Sequence, residues 1–299
     1  MTTLVWMVSV ALADVPPPTE PPAAAAVDPQ QAFLAGLRWQ DGDIALGDDL
    51  AMLHLPPELH YLSPVDTDRL LQAWGNPPTP ATLGAIFPTA VSPFDDASWC
   101  FVLDYEADGH VSDDDANSID YDALLTSLKA DAEAANPERK AAGYDEVHLV
   151  GWAAAPRYEA ASHTMYWAKE LHFANSPTNT LNYNVRVLGR DGVLTMSGIG
   201  SAAQLATIQQ QSAPVLSAVA FNPGRRYEDF VPGSDSTAAY GLAGLVAGGA
   251  VVAKTGVGKG LLAMLFASKK LLVAGGIAAV AAVRGVLGMA KKDDPPPSA

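Results

Sequence analysis

The densest set of chemically competent side chains runs from Asp104 to Asp115, reading Asp-Tyr-Glu-Ala-Asp-Gly-His-Val-Ser-Asp-Asp-Asp. Oxygen ligands at alternate positions, a glycine at the sixth and a carboxylate at the last imitate the calcium loop of helix–loop–helix proteins. Asp104, Glu106, Asp108 and Asp115 are the ligands such a loop would use. Two features depart from it: the stretch follows a strand-like run, and Asp115 stands where a longer, bidentate Glu is usual. A solvated acidic turn leading into the next helix accounts for the same residues, since carboxylates favour the positive end of a helix dipole. No metal or cofactor is assigned, and a calcium-binding module stays open as an alternative.

A second constellation lies on two runs that read as neighbouring strands, Tyr166–Phe173 and Leu181–Val187. Successive side chains on a strand point to opposite faces. Leu181, Tyr183, Val185 and Val187 therefore share one face of the second run, and Asn182, Asn184 and Arg186 the other. On the first run Trp167, Leu171 and Phe173 form the apolar side with Lys169 among them, opposite Tyr166, Glu170 and His172. Paired, the two runs are expected to gather Glu170, His172, Asn182, Asn184 and Arg186 into a polar patch beside aromatic rings. With Lys169 these make the candidate binding set, and cross-strand pairing on a solvated sheet face is the plainer account.

Other chemistry finds little support. Cys100 is the only cysteine, which excludes disulfides within the chain and cysteine-rich zinc sites, and between Trp99 and Phe101 it reads as a small buried hydrophobe. The six histidines have no metal-ligand spacing. No Gly-x-Ser-x-Gly elbow occurs. No catalytic residue is assigned. General acid–base work on an envelope polymer by Glu170 or by the Asp113–Asp115 cluster is the alternative.

The elements that must position these residues follow from periodicity and turn signals. Asp43–Leu46 and Leu50–Leu55 form a hairpin about Gly47-Asp48-Asp49. A short helix runs from Pro64 to Trp74 with Ser63 as its N-cap. Ser98–Tyr105 is a strand, and Ile119–Ala142 is a helix with apolar residues at helical spacing. Val147–Ala154, His163–Phe173, Thr180–Leu188 and Gly192–Ser197 are four extended runs, and Ala202–Phe221 reads as a closing helix. This order predicts an α+β fold, an antiparallel sheet with helices packed on it, in one domain over residues 28–236.

The ends read differently from the body. An apolar run from Leu4 to Leu12 ends in Ala11-Leu12-Ala13, a small-x-small cleavage site, although no Lys or Arg precedes it. Residues 1–13 are read as a signal peptide and 14–27 as a Pro/Ala-rich linker. Residues 237–290 contain Ala238–Ala253 and Leu271–Val283, rich in small apolar residues and separated by Lys254, Lys259, Lys269 and Lys270. They are read as transmembrane helical segments following the domain, with 291–299 as a polar tail. Residues 14–236 carry 31 acidic against 11 basic residues and the tail from 237 onwards 2 against 7, so nucleic acid is excluded as a partner. Together these features place the domain in the periplasm and the C-terminal segments in inner-membrane lipid, with an envelope protein or glycan as partner. The activity expected is binding or scaffolding.

Several stretches together resemble one bacterial family. They are Ala73-Trp-Gly-Asn-Pro-Pro78, Tyr105–Ala116, Gly151-Trp-Ala-Ala-Ala-Pro-Arg-Tyr158, Tyr166-Trp-Ala-Lys-Glu-Leu171, Leu181–Arg190 and Tyr240–Gly249. Spanning roughly residues 40–290, they are similar to DUF2167, a family of predicted membrane-anchored proteins of unknown function. The resemblance implies an exported α+β domain tethered by C-terminal hydrophobic segments, and it carries over no catalytic residue.

Overall fold

Alternating apolar and polar side chains give Thr180–Leu188 two unlike faces, and such a strand is stable only between layers that match them. The computed structural model, which describes residues 28–74, 82–141 and 144–248, supplies those layers. Helix α1 (Pro29–Ala35) precedes strands β1 (Trp39–Gln40), β2 (Asp43–Leu46), β3 (Ala51–His54) and β4 (Leu59–Leu62). Helix α2 (Pro64–Ala73) leads to β5 (Gly84–Pro88) and β6 (Cys100–Glu106). Helix α3 (Tyr121–Ala141) leads to β7 (Val147–Glu159), β8 (Thr164–Phe173), β9 (Thr180–Leu188) and β10 (Val193–Ser201). Helix α4 (Leu205–Ser217), β11 (Val219–Phe221) and helix α5 (Leu242–Ala247) follow.

Eight strands form one antiparallel sheet in the order β1-β4-β5-β6-β10-β9-β8-β7, and β11-β3-β2 form a second. The antiparallel α+β architecture expected from the sequence is the one observed. One face of the large sheet packs on the small sheet and α4, where Leu46, Leu53, Phe101, Leu103, Val185 and Ile208 meet. The other face is covered in three places. Helix α2 lies over Ala85, Phe87, Cys100 and Val102, α3 over Val147, Leu149, Leu171 and Phe173, and α5 over Met165, Trp167, Leu188 and Val193.

Local chemistry sets the boundaries. Ser63 caps α2, its hydroxyl accepting from the Asp66 amide, with Pro64 in the first turn. Asp120 caps α3 by accepting from the amides of Asp122 and Ala123. In the β2–β3 hairpin Gly47 and Asp49 take positive φ (62° and 57°), which glycine and aspartate tolerate best. Burial pushes the Cys100 thiol pKa up, consistent with a packing role.

Two expectations need correction. The closing helix stops at Ser217, because Val219–Phe221 pairs with Ala51–Leu53 as β11; β-branched and aromatic residues meeting an open strand edge override helical continuation. The domain also does not end at 236. The start of the first predicted membrane segment forms α5, whose Leu242, Leu245 and Val246 are at most 1% exposed against the sheet. These residues are apolar because they enter a protein core. Residues 1–27 and 249–299, with the cleavage site, the linker and the remaining hydrophobic segments, lie outside the described residues. Among the described residues no helix is long and apolar enough to cross a membrane.

Truncating Leu245 to Ala should therefore cost about 2–5 kcal/mol, the range for emptying a core site. A chain ending at residue 236 should lose cooperative unfolding. Urea denaturation of the two variants beside the chain ending at residue 248 measures both.

Candidate functional site

Strands β8 and β9 pair in the register Lys169–Asn182, Trp167–Asn184 and Met165–Arg186. Residues directly opposite share a face, so Lys169, Asn182, Asn184 and Arg186 gather on the face that α5 covers. Glu170 and His172 lie on the reverse face. The expected patch is thus split: both form a separate link through Asn179, whose Nδ2 donates to Glu170 (2.7 Å) and whose Oδ1 meets His172 Nδ1 (2.9 Å). Nor is the Lys169 side a solvated face, because Lys169, Asn184 and Arg186 are all buried. Burial brings the Lys169 pKa down to about 7, with Arg186 pushing the same way. Burial also raises Asp104, opposite Thr195 in the same layer, to about 7; Arg186 opposes that rise and Glu106 adds to it.

The acidic loop does not converge on a point. Asp108 accepts the Tyr240 hydroxyl (2.7 Å), and Asp113 accepts those of Tyr158 (2.7 Å) and Tyr227 (3.2 Å). Asp115 accepts the amides of Leu242 and Ala243 (3.0 Å each), at the N-terminus of α5. Glu106 accepts the Thr195 hydroxyl (3.4 Å). Among the described residues no group of three His, Cys, Asp or Glu side chains is placed to hold a metal ion. Of the four candidate calcium ligands, Asp104 and Glu106 both act on Arg186, while Asp108 and Asp115 are taken up by Tyr240 and the α5 amides, and the loop fastens the end of β6 to residues 227–243. His163, at the β7–β8 turn with φ 47°, joins this junction by stacking on Tyr227 and meeting the Tyr158 hydroxyl at 3.1 Å.

A concavity lies elsewhere. Strand β7 advances thirteen residues against the ten of β8, with register shifts at Leu149/Gly151, Trp152/Ala154 and Ala154/Arg157. Each inserted residue bends and twists the strand, a device found beside functional sites. Here the bends, together with the small side chains of Ala154 and Ala155, leave a cleft of about 640 Å³ between β7 and α4. Tyr166 and Tyr183 line it from the sheet, Gln209 and Ser212 from α4, and Arg157 and Glu159 from β7. The Arg157 guanidinium lies 4.3 Å from the Tyr166 ring centroid. The Tyr166 hydroxyl donates to Glu159 (3.3 Å), and the Tyr183 and Ser212 hydroxyls are 3.4 Å apart. Arg157 is exposed and has no ion pair among the described residues. The cleft offers hydrogen-bonding groups and one free cation within an otherwise acidic body.

None of the candidate binding residues lines this cleft, and neither do Glu170 or Asp113–Asp115. Sequence reasoning missed Arg157, Glu159, Gln209 and Ser212. The available signal was Gly151–Tyr158, where three alanines and a proline interrupt a strand pattern, the mark of a bulged strand.

Fold and cleft together define an antiparallel α+β domain with a bulged, open-sided recess. By sequence the chain belongs to the family described as Protein of unknown function (DUF2167), whose model matches residues 38–281. No curated protein matches it. Among solved structures, the solution structure of cyanobacterial PsbP (CyanoP) from Synechocystis sp. PCC 6803 is similar at 10% identity, covering 62% of this chain and 92% of that one. Its TM-score is 0.32, too loose a likeness to define a shared fold.

Asp104 and Lys169 give stability a pH signature. Between about pH 4 and 7 the unfolded chain has lost the Asp104 proton while the folded chain keeps it, so stability falls as pH rises. Between about pH 7 and 10.5 the unfolded chain holds the Lys169 proton that the folded chain has lost, so stability rises. Urea melts across this range should show a minimum near neutrality. Asp104→Asn should flatten the acid limb and Lys169→Met the alkaline one.

Proposed function

We propose that this protein is a binding module of the cell envelope, held at the inner membrane with its domain in the periplasm, and that its ligand is a glycan segment seated in the β7–α4 cleft. The observation that carries the reading is the cleft itself. Bulges in β7 open it, hydroxyl and amide groups line it, and the Arg157 guanidinium stands unpaired at its wall. Sugars are bound by such sets, in which few groups are charged and many are placed to donate or accept. The stretches around Gly151–Tyr158, Tyr166–Leu171 and Leu181–Arg190 all contribute lining residues.

The location rests on the apolar run before Ala11-Leu12-Ala13 and on the lysine-punctuated hydrophobic stretch after Gly248. Binding without chemistry is favoured because the acid–base candidates, Glu170 and Asp113–Asp115, stand apart from the cleft.

Calorimetric titration with a disaccharide-peptide fragment of peptidoglycan, beside maltotetraose as a neutral oligosaccharide, tests the ligand class. One of the two should bind saturably, and Arg157→Ala should weaken binding of an acidic fragment about tenfold, or about 1.4 kcal/mol. No heat from either sugar would remove the glycan reading. Protease digestion of spheroplasts should cleave the domain. Cleavage only in inverted vesicles would reverse the proposed orientation.

A further inference from the structure

The face of the sheet turned away from the cleft carries a donor-rich cluster of Lys169, Arg186 and Trp167, of which only Trp167 also borders the cleft. Lys169 and Arg186 are 4% and 3% exposed, and neither forms an ion pair among the described residues. Trp167, next inward on β8, lies between them in the register, and the Arg186 guanidinium carbon sits 5.1 Å from its ring centroid. The Trp167 Nε1–H is buried without a hydrogen-bond partner. Lys169 Nζ reaches one acceptor, the Val246 carbonyl at the end of α5 (3.4 Å). Arg186 reaches one, the carbonyl of its neighbour Val185 (3.2 Å). An ammonium offers three N–H groups and a guanidinium five, so most of this donor capacity has no acceptor.

Below about pH 7, where Lys169 keeps its proton, two buried cations close enough to repel each other are unfavourable unless something negative joins them. The carboxylates that act on Arg186 are Asp104 and Glu106, both beyond ion-pair distance, and the Tyr240 hydroxyl near it is committed to Asp108. Asp104 and Glu106 project from β6, which β10 and β9 separate from β8, and no carboxylate is among the groups acting on Lys169.

We infer that Lys169, Arg186 and the Trp167 indole N–H form a binding site for a small oxyanion, a carboxylate or a phosphate group, lodged between β8–β9 and the C-terminal end of α5. The oxyanion accepts from the ammonium, the guanidinium and the indole at once, as a bidentate or tridentate acceptor does. A neutral sugar supplies no such charge, so the two cations of this site serve no ligand in the cleft, which shares with it only Trp167.

Thermal unfolding of the full-length protein is the test, with sodium phosphate and sodium acetate titrated separately at constant ionic strength. A saturable rise in Tm with either salt is expected, because an anion that binds only the folded state stabilises it by mass action. The arm that responds identifies phosphate or carboxylate. Lys169→Met should weaken the apparent Kd at least tenfold, and Trp167→Phe, which keeps an aromatic ring and removes the N–H, should weaken it severalfold. Both salts also stabilise proteins generally by exclusion from the surface; that increment does not saturate and is shared by every variant. No saturable rise in either arm overturns the inference, as does a saturable rise of equal size in wild type and Trp167→Phe. The phenylalanine variant decides the matter should the methionine variant fail to fold.

Discussion

The register between β8 and β9 governs the rest of the molecule. Side chains alternate along a strand, so a slip of one residue would exchange every inward group for its outward neighbour. In the observed register Tyr166, Ala168, Tyr183 and Val185 meet the small sheet and α4, while Met165, Trp167 and Leu188 meet α5. The same pairing places Lys169, Asn184 and Arg186 within the second layer, where each must be satisfied by neighbours or ligand. Both faces are apolar enough to bury, which fixes the register firmly. The polar groups between them are carried along by that constraint.

The acidic loop performs the complementary task of holding α5 in place. A helix of six residues is too short to be stable by itself. It persists here because the Asp115 carboxylate accepts two of its first amides, Lys169 reaches a carbonyl near its end, and its apolar side chains are buried. Tyr240 and Tyr227 add bonds to Asp108 and Asp113, so one run of carboxylates secures residues 227–243 along most of their length. A sequence that imitates a cation loop is here a structural clasp whose positive partners are hydroxyl and amide hydrogens.

What the sequence disclosed follows from which forces act locally. Thr180–Leu188 was legible to the residue because its two faces are buried against unlike layers, which writes alternation into the chain. Ser63 and the turn at Gly47–Asp49 were legible because caps and turns depend on neighbours in sequence. Strand β5 was not, since Gly84–Pro88 is buried on both faces and carries no alternation. Glu170 and His172 were misassigned because facing residues on paired strands depend on register, which a single strand does not encode. Helix α5 resembled a membrane segment because a fully enclosed helix and a lipid-facing one ask for the same side chains. The cleft was illegible because α4 and β7 meet only in the folded chain.

Strand β7 has one further consequence. It is the last strand of the large sheet, and its outer row of amides and carbonyls faces no partner strand in the described chain. A straight edge of thirteen residues would be a template on which another copy could add its own strand. The interruptions at Gly151, Ala154 and Arg157 break that row into short, differently aimed pieces. The irregularity that hollows out a recess on one side also keeps neighbouring molecules from zipping together along the other.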